Sequence, residues 1–134
     1  MSDNLKTKQK VTSYLQAMSQ RDLDATVSHF ATVVDWNVPG NEKLAPWLGK
    51  RASQAEVRDF FKTLWNETVP LDASIDALMC EEDSAVVVGQ FSSKMVRTGQ
   101  VFDSPFSIHI KFSGPSIVYY RLLEDGYRLS HILG

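Results

Sequence analysis

Residues 53–79 read SQAEVRDFFKTLWNETVPLDASIDALM, and the spacing of their apolar side chains changes once along the way. Ser53 to Glu56 has the form of a capping box, in which a serine and a glutamate three residues later satisfy the free N–H groups of a helix start. Val57, Phe60, Phe61, Leu64 and Trp65 follow at helical spacing, so one whole face of this helix must be buried. Past Val69 and Pro70 the period becomes two, with Leu71, Ala73, Ile75, Ala77 and Met79 alternating against Asp72, Ser74 and Asp76. From this point the pattern is that of sheet.

Reading outward, Glu81, Glu82 and Asp83 mark a turn, Ala85 to Val96 a long strand, Arg97 to Gln100 a turn and Val101 to Phe112 a second long strand. Ser113, Gly114 and Pro115 turn into a strand over Ile117 to Glu124. Asp125-Gly126 is a hairpin-type dipeptide, and Tyr127 to Leu133 forms a last short strand or a docked tail. Upstream, Val11, Tyr14, Leu15 and Met18 make one apolar stripe of a helix over Leu5 to Met18. Asp22 caps a short second helix in which Leu23, Val27 and Phe30 share a face. Val33 to Val38 reads as a buried strand stopped by Pro39 and Gly40, and Asn41 to Arg51 as loop. Three helices followed by a strand meander is an α+β arrangement, whose helices bury their stripes against one sheet face.

With 134 residues the chain is one domain, 1–134, and one site is to be sought. Fourteen basic against 16 acidic residues provide no positive field for phosphates, so no nucleic-acid partner is expected. The first ten residues carry charges with no apolar stretch behind them, and no later run is long enough to span a bilayer; a cytoplasmic location and no membrane partner are expected. Cys80 is the single cysteine and reads as a small core residue on a strand. His29, His109 and His131 show no ligand spacing with a carboxylate, and no glycine-rich phosphate loop follows a strand, so neither metal nor cofactor is expected.

Several phrases carry a resemblance: Asp22 to Asp24 before Phe30, Trp36 to Gly40 (WNVPG), Pro46 to Gly49 (PWLG), Glu56 to Phe61 (EVRDFF), and Ser104 to His109 (SPFSIH) with Tyr120, Glu124, Asp125 and Tyr127. In this order they resemble the SnoaL-like, ketosteroid-isomerase-related proteins of the nuclear transport factor 2-like (NTF2-like) superfamily, over about Val11 to Tyr127. The resemblance implies a cone-shaped fold, three N-terminal helices packed on a curved, mostly antiparallel sheet enclosing a pocket. The fold hosts isomerases, cyclases and non-catalytic binders alike. Ketosteroid isomerase uses a carboxylate base with a tyrosine and a protonated aspartic acid as oxyanion donors. Tyr14 matches that tyrosine. The base position falls on Asn37, with Asp35 two residues earlier on the same strand face, and the second acid falls at Ile108 or His109. True ketosteroid isomerase activity is therefore not expected.

A carboxylate among Val33, Val34 and Trp36 would have a raised pKa, which makes Asp35 the candidate base; the plain alternative is a strand aspartate that reaches solvent or an arginine. Tyr14 and His109 complete the candidate catalytic set, with the imidazole as acid, base or carbonyl polariser. Alternation with Phe106, Ile108 and Ile110 sets His109 on the opposite strand face, and only a bulge would turn it inward. Asn37, Trp36, Trp47, Phe60 and Trp65 are the candidate ligand-binding residues, Trp47 as a cover at the pocket mouth, although all the aromatics serve equally as core. Arg97, Arg121, Glu124 and Asp125 read as surface or interface ion pairs. The expected function is a cofactor-free isomerase- or cyclase-type enzyme moving protons on a small apolar carbonyl compound. The alternatives are a non-catalytic binder of a small apolar molecule and a dimeric scaffold. A homodimer through the outer sheet face is expected, since the long strands carry more apolar residues than one covered face needs.

Overall fold

The capping box forms as read: Ser53 Oγ accepts from the Glu56 amide at 3.2 Å, while Glu56 Oε1 reaches back to the amide of Ala52, one residue before the cap, at 3.0 Å. The structure, a computed structural model, describes residues 2–134. In chain order the elements are α1 (Ser2–Ser19), α2 (Leu23–Val27), β1 (Phe30–Val38), β2 (Gly49–Ser53), α3 (Gln54–Glu67), β3 (Thr68–Glu81), β4 (Ser84–Met95), β5 (Val101–Ser113), β6 (Ser116–Leu123) and α4 (Gly126–Leu133). One sheet runs in the order β2-β1-β6-β5-β4-β3. Neighbours are antiparallel except β1 and β6, which are parallel.

The helices and the sheet are thus arranged as an α+β fold with a mostly antiparallel sheet, but three details differ from the reading. The three helices do not form one N-terminal block: β1, read between the second and third helices, is joined there by β2, and a fourth helix follows β6. The strand β2 lies partly within the stretch read as loop, because Gly49 to Ser53 offers no hydrophobic signal and is a strand only through its pairing with β1. The tail is helical rather than a strand. Asp125 caps α4 by accepting from the Arg128 amide at 3.0 Å, and Leu129, Ile132 and Leu133 are buried.

Two features shape the concave side. The helix α1 crosses it, tied to the sheet's turns by Thr7 donating to the carbonyl of Glu82 and by Lys10 donating to that of Gly114 at 2.8 Å. Opposite, β3 slips register between Ile75 and Ala77, so Ile75 and Leu78, three apart, both face inward while Met79 turns out. Gly89 pairs with Ile75 at the bulge; a Cβ on it would lie 2.2 Å from the Ser74 carbonyl and 2.9 Å from the Phe106 ring. The missing side chain lets the sheet bend there. The core between α1, α3 and the central strands is aromatic: Trp36 stacks on Tyr120 at 4.3 Å and 4°, with Phe30, Phe60 and Phe61 edge-on or tilted around them. No described helix is long and apolar enough to cross a membrane.

Candidate functional site

The bend leaves a cavity of about 860 Å³ between α1, α3 and the concave sheet. Its wall is mainly apolar, with Leu15 and Met18 from α1, Phe60, Leu64 and Trp65 from α3, and Phe91, Phe102, Phe106 and Ile108 from the strands. Trp47 lines it from the β1–β2 connection.

Strand β6 brings the polar chemistry. Period-two alternation puts Tyr120, Leu122 and Glu124 on one side, and all three line the cavity, while Arg121 belongs to the other side. Glu124 stands just past the strand end and is held there by its neighbours. The Asp125 amide donates to Ser104 Oγ at 2.9 Å, the Gly126 amide donates to the Glu124 carbonyl at 3.0 Å, and Asp125 caps α4. Among the described residues, no hydrogen bond or ion pair reaches the carboxyl of Glu124, a half-buried residue on the apolar cavity wall. Burial pushes its pKa up from the usual carboxylate value to about 7.

Next to it lies a pair of phenols. The hydroxyls of Tyr14 and Tyr120 are 2.6 Å apart and buried, and Tyr14 can also donate to Met18 Sδ at 3.5 Å. Burial raises the pKa of both, for Tyr14 with a further contribution from its partner Tyr120, and for Tyr120 with the nearby Glu124 charge acting in the same direction against the lowering effect of the Tyr14 hydrogen bond. Both stay protonated. The pair holds two protons and needs one for its internal bond, so when Tyr14 donates to Tyr120, the Tyr120 hydroxyl is free to donate into the cavity.

The structure separates the sequence candidates. Asp35 does not reach the cavity: β1 turns Val34, Trp36 and Val38 inward and Asp35 and Asn37 outward. The Asp35 side chain is 66 % exposed and pairs with Arg121 at 2.8 Å. This is the plain alternative weighed for it, a strand aspartate meeting an arginine in solvent. His109 also lies on the outer face, edge-on to Tyr119, because β5 keeps regular register with β4 past this residue and no bulge turns it. Its pKa is lowered, first by partial burial and then by the charges of Lys111 and Arg121. Asn37 pairs with Lys50 and Arg121 away from the cavity, and Trp36 lies behind Tyr120 as core. Trp47, Phe60 and Trp65 do line the cavity, and Tyr14 touches it through Tyr120. Glu124, read as a surface charge, is the residue that the sequence reading missed; its place two and four residues beyond the inward Leu122 and Tyr120 was the signal for it. Among the described residues no group of three or more His, Cys, Asp or Glu side chains is placed to hold a metal ion.

A cone of helices over a bent six-stranded sheet with a deep apolar cavity is the NTF2-like class of α+β pocket protein. The sequence matches the SnoaL-like domain family over residues 11–120, and the chain belongs to that family. Solved structures share the fold at low identity. An NTF2-like protein of unknown function from Burkholderia pseudomallei is 20 % identical with a TM-score of 0.84, covering 99 % of this chain and 98 % of that one. A candidate isomerase from Bacillus subtilis is 13 % identical with a TM-score of 0.83, covering 98 % and 95 %. TerC, co-crystallised with polyporic acid, is 13 % identical with a TM-score of 0.81, covering 95 % and 97 %. No curated protein sequence matches the chain.

Proposed function

We propose that the protein is a cofactor-free proton-transfer enzyme of the isomerase or cyclase type, acting on a small, mostly apolar carbonyl compound, with Glu124 as the base. One observation carries this reading: an unpartnered carboxyl, with its pKa raised to about 7, stands in an apolar cavity beside the Tyr14–Tyr120 hydroxyl pair. A base for a carbon acid works best when its pKa lies near the operating pH and water is kept from it. Glu124 takes a proton from a carbon next to the carbonyl, Tyr120 donates to the oxygen as negative charge builds there, and Glu124 returns the proton to another carbon. Tyr14 acts through Tyr120 as a positioning residue, supplying the proton that frees Tyr120 to donate outward. The candidate isomerase from Bacillus subtilis and TerC, with its small-molecule ligand, support a pocket chemistry of this kind.

The test is a screen of conjugated ketones and cyclisable polyketide-like compounds for turnover, followed by Glu124→Gln. The variant should lose about 100- to 10,000-fold in kcat with ligand affinity within a few-fold, since the change removes basicity and keeps shape. Ligands that bind and are never turned over would leave the protein a carrier for small apolar molecules.

A further inference from the structure

Arg21 lies on the cavity wall where α1 ends and α3 runs into β3. Its backbone forms the αL position of a Schellman turn: the Arg21 amide donates to the Met18 carbonyl at 3.0 Å and the Asp22 amide to that of Ala17 at 3.2 Å. The φ of Arg21 is 52°, a conformation that glycine adopts freely and an arginine only at a cost. An arginine held at a glycine position, with its side chain on a cavity wall, calls for an account of the side chain.

Part of that account is structural. Nη1 donates to the carbonyls of Trp65 at 3.2 Å and Thr68 at 2.9 Å, and Nη2 donates to Thr68 Oγ1 at 2.9 Å. These bonds use both hydrogens of Nη1 and one of Nη2, and they engage the end of the guanidinium. The side edge, made of Nε–H and the second Nη2–H, has no partner among the described residues, and this two-donor fork matches a carboxylate. Among the described residues no carboxylate pairs with it either, although Asp72 and Glu124 line the same cavity. The guanidinium carbon lies 5.9 Å from the Trp65 ring centre, at the outer reach of a cation–π contact. Half-burial also lowers the Arg21 pKa, the response of a cation drawn from water without a counter-charge.

We propose that Arg21 is a ligand-anchoring residue whose open guanidinium edge binds a carboxylate on an otherwise apolar ligand. The natural ligand is then an apolar acid, its anionic end at Arg21 and its body along the aromatic wall. This shares the cavity of the proposed proton transfer and narrows its substrate class, but does not depend on the role of Glu124.

The experiment compares 1-naphthaleneacetate with its uncharged amide by calorimetry at about pH 6, where Glu124 is mostly neutral. The carboxylate should bind the wild-type protein about tenfold tighter or more, as a charge-assisted bidentate contact does. Arg21→Gln and Arg21→Gly should each bring the two probes within about twofold, the acid losing much more affinity than the amide; the glycine variant suits the turn and guards against misfolding of the other. Glu124→Gln should retain the preference. Equal binding of the two probes to the wild-type protein, no binding of either, or a preference that survives both Arg21 variants each overturns the proposal. A carboxylate preference without turnover of any compound removes the proton-transfer reading alone, and turnover through Glu124 of neutral ligands bound as tightly as acids removes this one alone.

Discussion

At the scale of single residues, two carboxylates of similar sequence setting have opposite surroundings. Asp35 sits among Val33, Val34 and Trp36, yet its strand face is open and Arg121 meets it in solvent, where such a pair contributes about 0–1 kcal/mol. Glu124 follows Leu122 and Leu123 and meets an apolar cavity instead. Local hydrophobicity could not separate them, because Val33 beside Asp35 is itself 73 % exposed; the direction of each strand face decides, and that is set by pairing with β6. With a Glu124 pKa of about 7, kcat/KM for any substrate should rise with pH to half its maximum near pH 7 and then level off. A rate flat from about pH 5 to 8, with turnover intact in Glu124→Gln, would rule this residue out as the base. The phenols give a graded result: Tyr120→Phe should lower kcat by about 2–4 kcal/mol of barrier. Tyr14→Phe should cost less in rate, because Tyr120 keeps its own proton, but about 1–3 kcal/mol of stability by urea unfolding, because it leaves a buried hydroxyl without its partner. Equal rate losses in both variants would place Tyr14 in contact with the substrate.

At the scale of elements, α2 and α3 were legible because their signals are local: Asp22 accepts from the Ala25 amide and Ser53 from that of Glu56. The strand β2 and helix α4 were not, since Gly49 to Ser53 is polar and gains its form from β1, and Tyr127 to Leu133 is too short for periodicity to separate strand from helix. The regular alternation read into Leu71 to Met79 is interrupted twice, at Leu71 and before Ala77, and the second bulge lies opposite Gly89, whose missing side chain makes room for it. That bend makes the cavity, which ties β3 and β4 to function. Gly89→Ala should therefore destabilise by about 1–3 kcal/mol through a clash with the Ser74 carbonyl, and should weaken binding of any cavity ligand beyond the loss expected from unfolding. The check is urea unfolding beside calorimetry; unchanged stability would mean that the sheet bends without needing this glycine.

At the scale of the molecule, the α+β class followed from the order of helical and alternating stretches and the pocket from the family resemblance, while the identity of the pocket's carboxylate required the whole sheet to be assembled. The outer sheet face carries Met79, Val86, Val88 and Leu123 across neighbouring strands, with Met79 56 % and Leu123 51 % exposed, and a homodimer through this face is the expected solution state. Light scattering should give twice the chain mass at micromolar concentration, and a stable monomer would count against it. Glu124 also leaves a signature on global stability. Its carboxyl has an ordinary pKa of 4.5 when the chain unfolds and about 7 in the fold. Below the lower value both states hold the proton. Between the two values the folded protein keeps a proton that the unfolded chain has released, so stability falls as pH rises, and above about 7 the loss is complete. At about 1.36 kcal/mol per unit, the loss is roughly 2–3 kcal/mol after allowing for a carboxyl partly open to the cavity. The other ionisable groups on this wall, Arg21, Asp72 and Tyr120, remain in both proteins when wild type is compared with Glu124→Gln, so the difference between the two isolates Glu124. Urea unfolding should show the variant gaining on the wild type by that amount from about pH 4.5 to pH 8. A constant gap across this range would mean that the carboxyl is solvated in the folded protein, and the proposed base would lose the property that makes it one.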